Sequence, residues 1–167
     1  TAVNASLTGH LVFSTLHTNN SAGALPRLLD MHAEPYLIAS TVNAVVAQRV
    51  VRKICTDCKV GYQPSPEMTA DVTKILGNLF RPANPFQLFK GQGCNQCGNT
   101  GYSGRIGIFE VLTVSEKIAS LILEHQPSSE IEKMSVSEGM VTMKQDGYLK
   151  IVEGITTVEE VLRVAQE

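Results

Sequence analysis

Thr8-Gly-His-Leu-Val-Phe-Ser-Thr-Leu-His-Thr-Asn19 is the stretch on which the fold class turns. Thr8-Gly9 punctuates the chain. Leu11-Val12-Phe13-Ser14-Thr15-Leu16 is then short, rich in β-branched and aromatic residues, and free of clean alternation, the pattern of a strand covered on both faces. Such strands belong to parallel sheets flanked by helices, which predicts an α/β fold. No comparable run follows until Ile106-Gly-Ile-Phe109. The neighbours of the first strand are therefore expected upstream of Thr1, and the opening Thr-Ala-Val-Asn reads as the start of a cut piece, at the end of a helix.

Moving outward, the spacing becomes helical. Ala22, Leu25, Leu28 and Leu29 share one face up to Asp30-Met-His-Ala33. Glu34-Pro35 starts a second helix, since proline is well tolerated at the first helical position, and Leu37, Ile38, Val42, Val45 and Val46 extend its stripe to Gln48-Arg49. Residues 59–93 break the composition with Pro64, Pro66, Pro82 and Pro85 and four glycines, around one helical stretch at Ala70–Leu79. A strand is expected at Arg105–Val111. Thr113-x-x-Glu116, Ser135-x-x-Glu138 and Thr157-x-x-Glu160 read as capping boxes that open helices, with Gly147 and Gly154 as turns. The last helix carries Val158, Val161, Leu162 and Ala165 on one face.

Of the 167 residues, 43% are apolar and 18% charged, with a mean hydropathy of +0.03, enough for a core and too polar for a membrane span. A net charge of −2 excludes global attraction to nucleic acid or anionic lipid. The charge is uneven: residues 1–105 hold nine Lys/Arg against five Asp/Glu, residues 106–167 five against eleven. The basic surface around Arg49, Arg52 and Lys53 and the acidic tail are candidate sides of a head-to-tail interface.

Cysteines occur only as Cys55-x2-Cys58 and Cys94-x2-Cys97. Two intervening residues let both thiolates of a pair face one ion, and two pairs supply the four ligands of a tetrahedral structural zinc site. The wide separation makes residues 55–104 a zinc-binding insertion closed at its base by two knuckles. Two imidazoles, His10 and His17, flank the first strand. Spacing alone leaves them either core or capping histidines or polar groups delivered to the crevice at a strand's carboxyl end.

Together with Arg27-Leu-Leu-Asp-Met31, Gln48-Arg-Val-Val-Arg52-Lys-Ile-Cys55, Cys97-x-x-Thr-Gly-Tyr102-x-Gly-Arg105-x-Gly-Ile-x-Glu110, Asp146-Gly-Tyr-Leu-Lys150 and Gly154-Ile-Thr-Thr-Val-Glu-Glu160, these segments resemble the carboxyl-terminal part of the type II secretion and type IV pilus assembly ATPases. The resemblance spans nearly the whole chain. It implies the carboxyl-terminal portion of a RecA-like NTPase core at residues 1–54, the tetracysteine insertion at 55–104 and an α-helical carboxyl-terminal subdomain at 105–167. It further implies a hexameric, ATP- and Mg²⁺-dependent motor, cytoplasmic and peripheral at the bacterial inner membrane, that acts on a platform protein there and does not bind nucleic acid directly. His10 and His17 match the family's histidine box and are the candidate catalytic residues. Arg105 and Arg49 are candidates for a nucleotide-adjacent or intersubunit role, and Cys55, Cys58, Cys94 and Cys97 are the metal ligands.

The sequence departs from the full motor in lacking Gly-x4-Gly-Lys-[Ser/Thr] and a strand ending in Mg²⁺-binding carboxylates before Thr8. Both are expected before Thr1, so the 167 residues alone are expected to be inactive. Two other functions compete: a nucleic-acid-binding zinc module, disfavoured by 5% aromatics and the acidic balance, and a zinc-stabilised interaction module without ATPase chemistry.

Overall fold

The computed structural model describes residues 2–81 and 86–165. Pro82 and Pro85 of the expected composition break lie outside the described residues. The chain divides into two compact units, residues 1–47 with 110–142 and residues 48–109 with 143–167.

The first unit is mainly helical. Helix α1 (Ala2–Leu7) ends at Gly9, whose φ of +85° suits glycine. Helix α2 (Ala24–Asp30) and helix α3 (Pro35–Thr41) follow the expected stripe, with Pro35 in the first turn. Ala22, Leu25 and Ile38 pack with Leu112, Ile118, Ile122 and Ile131 into one buried cluster. Leu112 belongs to strand β4 (Tyr102–Thr113), Ile118 and Ile122 to α5 (Glu116–Leu123), and Ile131 to α6 (Ser128–Ser137). Burial along β4 alternates at Ile108, Glu110 and Leu112, as a strand with one covered face requires.

Three sequence expectations fail in this unit. Leu11–Leu16 is not a strand: residues 10–18 have no regular structure, and Leu11 and Phe13 are 79% and 88% exposed. An extended segment cannot satisfy its own backbone groups, and among the described residues no strand pairs with it. The α3 stripe does not run to Arg49, because β1 (Ala44–Ile54) begins three residues after Thr41. Val45, Val46, Val50 and Val51 are β-branched, and burial alternates with period two from Ala44 to Arg52. The first two capping boxes are also absent. Ser115, not Thr113, caps α5 by accepting from Ile118 N–H at 3.2 Å, and Ser135 lies inside α6 with its hydroxyl donating to Ile131 C=O at 2.8 Å.

In the second unit the described residues of the Pro- and Gly-rich excursion form regular elements. Strands β2 (Lys59–Tyr62) and β3 (Leu88–Gly91) pair antiparallel with Lys59 opposite Gly91 and Tyr62 opposite Leu88. Between them stands α4 (Pro66–Leu76), which starts earlier than periodicity suggested because Ser65 caps it and Pro66 opens it. Strands β1 and β4 form the other two-stranded sheet. Helices α7 (Met143–Val152) and α8 (Val158–Ala165) complete the unit, and Asp146 binds Phe109 N–H at 2.8 Å and Lys150 at 2.6 Å. No helix among the described residues is long and apolar enough to cross a membrane.

Gly154 sits in a turn at φ +70°, but Gly147 lies inside α7, contrary to expectation. A Cβ there would meet Val161 Cγ1 of α8 at 2.6 Å, so glycine is present for close helix approach and not for a turn. Gly147→Ala gains ~0.5–1 kcal/mol of helix propensity but forces overpacking worth ~1–3 kcal/mol. A net loss of about 1 kcal/mol is expected in urea unfolding, with Val161→Ala in the same chain relieving most of the clash.

Candidate functional site

The four cysteines come together at the base of the β2–β3 pair. Cys55 precedes and Cys58 ends a single 3₁₀ turn between β1 and β2, and Cys94 precedes and Cys97 ends another between β3 and β4. All four Sγ atoms lie within 4.8 Å of one another. Cys55 to Cys94 is 3.8 Å, Cys58 to Cys97 is 3.9 Å and Cys94 to Cys97 is 3.7 Å. Four sulfurs each ~2.3 Å from a tetrahedral ion stand ~3.8 Å apart, so the spacing fits a Cys₄ metal site. It also excludes disulfides, which need ~2.05 Å.

The backbone is arranged to favour thiolates. Gly93 N–H donates to Cys58 Sγ, and the N–H groups of Cys94 and Gly101 both donate to Cys97 Sγ, each at 3.3 Å. Burial pushes the Cys58 thiol up to about 11. At Cys97 burial also raises the thiol, but the N–H donors of Cys94 and Gly101 together with hydrogen bonds from the Cys94 and Cys58 side chains draw the value down to about 6. Gly98 and Asn99 take left-handed φ values of 59° and 60° in the turn after the second pair. Gly91 and Gly101 let two backbones touch: a Cβ on Gly91 would fall 2.0 Å from Gly101 O.

In the same unit is a residue that the sequence pattern assigns only to a cap. Glu160 is 1% exposed. Its carboxylate accepts from the Arg52 backbone N–H at 2.9 Å and from the Arg52 guanidinium at 2.6 Å. It also accepts from Arg163 at 2.9 and 3.1 Å. Thr157 does cap α8, with Glu160 N–H 3.4 Å from its hydroxyl, so this capping box is half formed. The Arg52 guanidinium sits 4.2 Å above the Tyr102 ring, and Tyr102 Oη is 2.9 Å from Thr157 Oγ1. A Thr-x-x-Glu spacing looks the same whether the Glu reaches back to its own helix or out to an arginine. The sequence signal for the second arrangement is the distant Arg52.

The other candidates fall in different units. His10 and His17 lie in the first unit, both exposed, with His10 Nδ1 2.9 Å from Thr8 Oγ1. Arg49 and Arg105 lie in the second unit, half-buried and exposed respectively. Four residues beyond His17, Ser21 is buried, and its N–H and hydroxyl both donate to the buried Glu110 carboxylate, at 2.9 and 2.5 Å.

The Glu160 geometry has a pH consequence. Burial alone would raise its carboxyl, but the two arginines and the Arg52 N–H hold it at about 2, below the ordinary 4.5. A depressed folded value stabilises fully above about pH 4.5 and fades as pH falls towards 2. Glu160→Gln is expected to cost on the order of 3 kcal/mol near neutrality. Urea unfolding of the two proteins at successive pH values should show this difference narrowing below pH ~4.5, whereas a pH-independent difference would assign the loss to packing.

Residues 1–163 match the family described as type II/IV secretion system protein. The chain is 44% identical over 166 residues to a type II secretion system protein E of Pseudomonas aeruginosa, covering 99% of this chain and 32% of that protein. It is 43% identical over 161 residues to the type IV pilus assembly ATPase PilB of Thermus thermophilus, covering 96% and 18%. It is 42% identical over 166 residues to the type II secretion system ATPase E of Vibrio cholerae, covering 99% and 32%. The fold is similar to that of the Legionella pneumophila ATPase DotB, with a TM-score of 0.59 and 19% identity over 99% of this chain and 34% of that one. This likeness bears out the α/β class, with the tetracysteine cluster and the helical carboxyl-terminal part. The chain spans about a third or less of the length of these relatives.

Proposed function

The chain belongs to the type II/IV secretion system protein family, and from that premise we propose that it is the carboxyl-terminal part of an ATP-hydrolysing motor for type IV pilus assembly or type II protein secretion. The observation that carries this reading is the 42–44% identity to pilus-assembly and secretion ATPases along nearly all of the chain. In this reading the motor is a homohexamer that works at the cytoplasmic face of the bacterial inner membrane against a platform protein. ATP and Mg²⁺ are handled by the whole protein. Residues 1–54 contribute to the RecA-like core, 55–104 are the zinc-binding insertion and 105–167 the helical subdomain.

Zn²⁺ is the ion proposed for Cys55, Cys58, Cys94 and Cys97. Four thiolates at tetrahedral spacing suit a soft ion without redox chemistry, and the site has no position for a substrate water. Bound there, zinc ties the ends of β1 and β3 to the start of β4. Elemental analysis is expected to find one zinc per chain, and Cys97→Ser to lose it and loosen residues 55–97. Metal-free wild type that is fully folded refutes the assignment.

His10 and His17 are proposed to act on the nucleotide's reacting phosphate region, and Arg105 and Arg49 to meet nucleotide or a neighbouring subunit. Imidazoles that stabilise developing charge strengthen their contacts in the transition state. In the full-length protein, His10→Ala or His17→Ala is therefore expected to lower kcat by about tenfold to a hundredfold with little change in KM for ATP. Equal losses in nucleotide affinity and turnover would make both histidines structural.

A further inference from the structure

The sulfur cluster joins the rest of its unit through the backbone on either side of Cys55 and Gly101, and both places are held from residues 155–160. Ile54 N–H donates to Ile155 C=O at 2.8 Å. Thr156 Oγ1 donates to Arg52 C=O at 2.8 Å, and Arg52 N–H donates to Glu160 at 2.9 Å. Cys55 N–H donates to Gly101 C=O at 2.9 Å, and Gly101 N–H donates in turn to Cys97 Sγ. Tyr102, next in the chain, is pinned by the Arg52 guanidinium on its ring and by Thr157 at its hydroxyl. Glu160 is the one carboxylate that joins Arg52 to Arg163, so it closes this frame from α8.

We infer that Glu160 is a positioning residue for the metal centre: with Arg52, Tyr102 and Thr157 it holds the backbone that presents Cys55 and Cys97, so that docking of α8 and retention of the ion are one equilibrium. The inference rests on the reading that the cysteine cluster holds zinc. Such coupling is reciprocal, because a contact that favours the ligating geometry is itself favoured by the ion. Outer groups that orient ligands commonly change metal retention by about tenfold to a hundredfold.

The experiment follows zinc release from the full-length protein to a chromogenic chelator, well below the melting transition. Glu160→Gln is expected to release zinc about tenfold faster than wild type or more, and Glu160→Asp to recover part of the difference. Ile131→Val, which weakens the core of the other unit, should release zinc at the wild-type rate. The visible bands of the cobalt-substituted centre should shift in Glu160→Gln and not in Ile131→Val. Conversely, chelating the zinc from wild type should speed amide exchange in α8 and leave α6 unchanged. Should Glu160→Gln fail to fold, Thr157→Val, which removes the partner of the Tyr102 hydroxyl, carries the same expectation. Wild-type release rates and cobalt bands in the clamp variants, with only a lower melting temperature, would overturn the inference while leaving the zinc site standing. Wild type without zinc would overturn both.

Discussion

Four sulfurs held within 4.8 Å of one another tie together the turns at residues 55–58 and 94–97. Two thiolates ~4 Å apart repel by about 4 kcal/mol at an effective dielectric of 20, and four such groups form six pairs. The repulsion has to be cancelled by a cation at the centre or avoided by protonation. Cancellation would account for the three backbone N–H groups that donate to sulfur, since donors to a thiolate favour the form that a cation needs. It would also account for the pairing of two short strands within a segment rich in proline and glycine. The β2–β3 pair is only four residues long on each side, marginal as an isolated ladder, but the cysteine turns at its base fix both strand ends.

The parts of this arrangement legible in the sequence are those whose chemistry is local. Cys-x2-Cys sets two thiols where a single ion can take both, and two such pairs make up a four-ligand set, so the centre is legible from spacing alone. Strand β4 and helices α2 and α8 were likewise carried by their own periodicity. By contrast, Val42, Val45 and Val46 suit a helical stripe as well as an alternating strand. What decides between them is the partner strand β4, about 60 residues away. The capping boxes failed for a related reason. Ser and Thr lie three residues before Glu in many contexts, and only the surroundings say whether the hydroxyl faces a free N–H, as at Thr157, or a helix carbonyl, as at Ser135.

The exposed Leu11–Leu16 segment is the strongest case of tertiary dependence. Its composition describes a buried strand, and no strand among the described residues pairs with it. What does order the segment lies at its ends. Gly9 stops α1 before it, and Glu110 receives Ser21 after it. Glu110 ends the Gly-Arg-x-Gly-Ile-x-Glu pattern that follows the second cysteine pair. A motif that reads as one unit in sequence therefore places Arg105 in one compact unit and Glu110 in the other.

The basic cluster near the end of β1 divides in the same way. Arg49, Arg52 and Lys53 are close in sequence and read as one positive surface, but Arg52 is bound to a buried carboxylate and stacked on Tyr102. Its charge is compensated within the unit, and removing it would leave Glu160 buried with one arginine fewer, a structural loss of the kind seen when a buried pair is broken. Arg49 forms no ion pair among the described residues, so reversing its charge changes what the surface offers to a neighbour without disturbing the clamp. Loss of assembly through Arg52 would therefore be read as loss of fold, whereas loss of assembly through Arg49 would be read as loss of an interface.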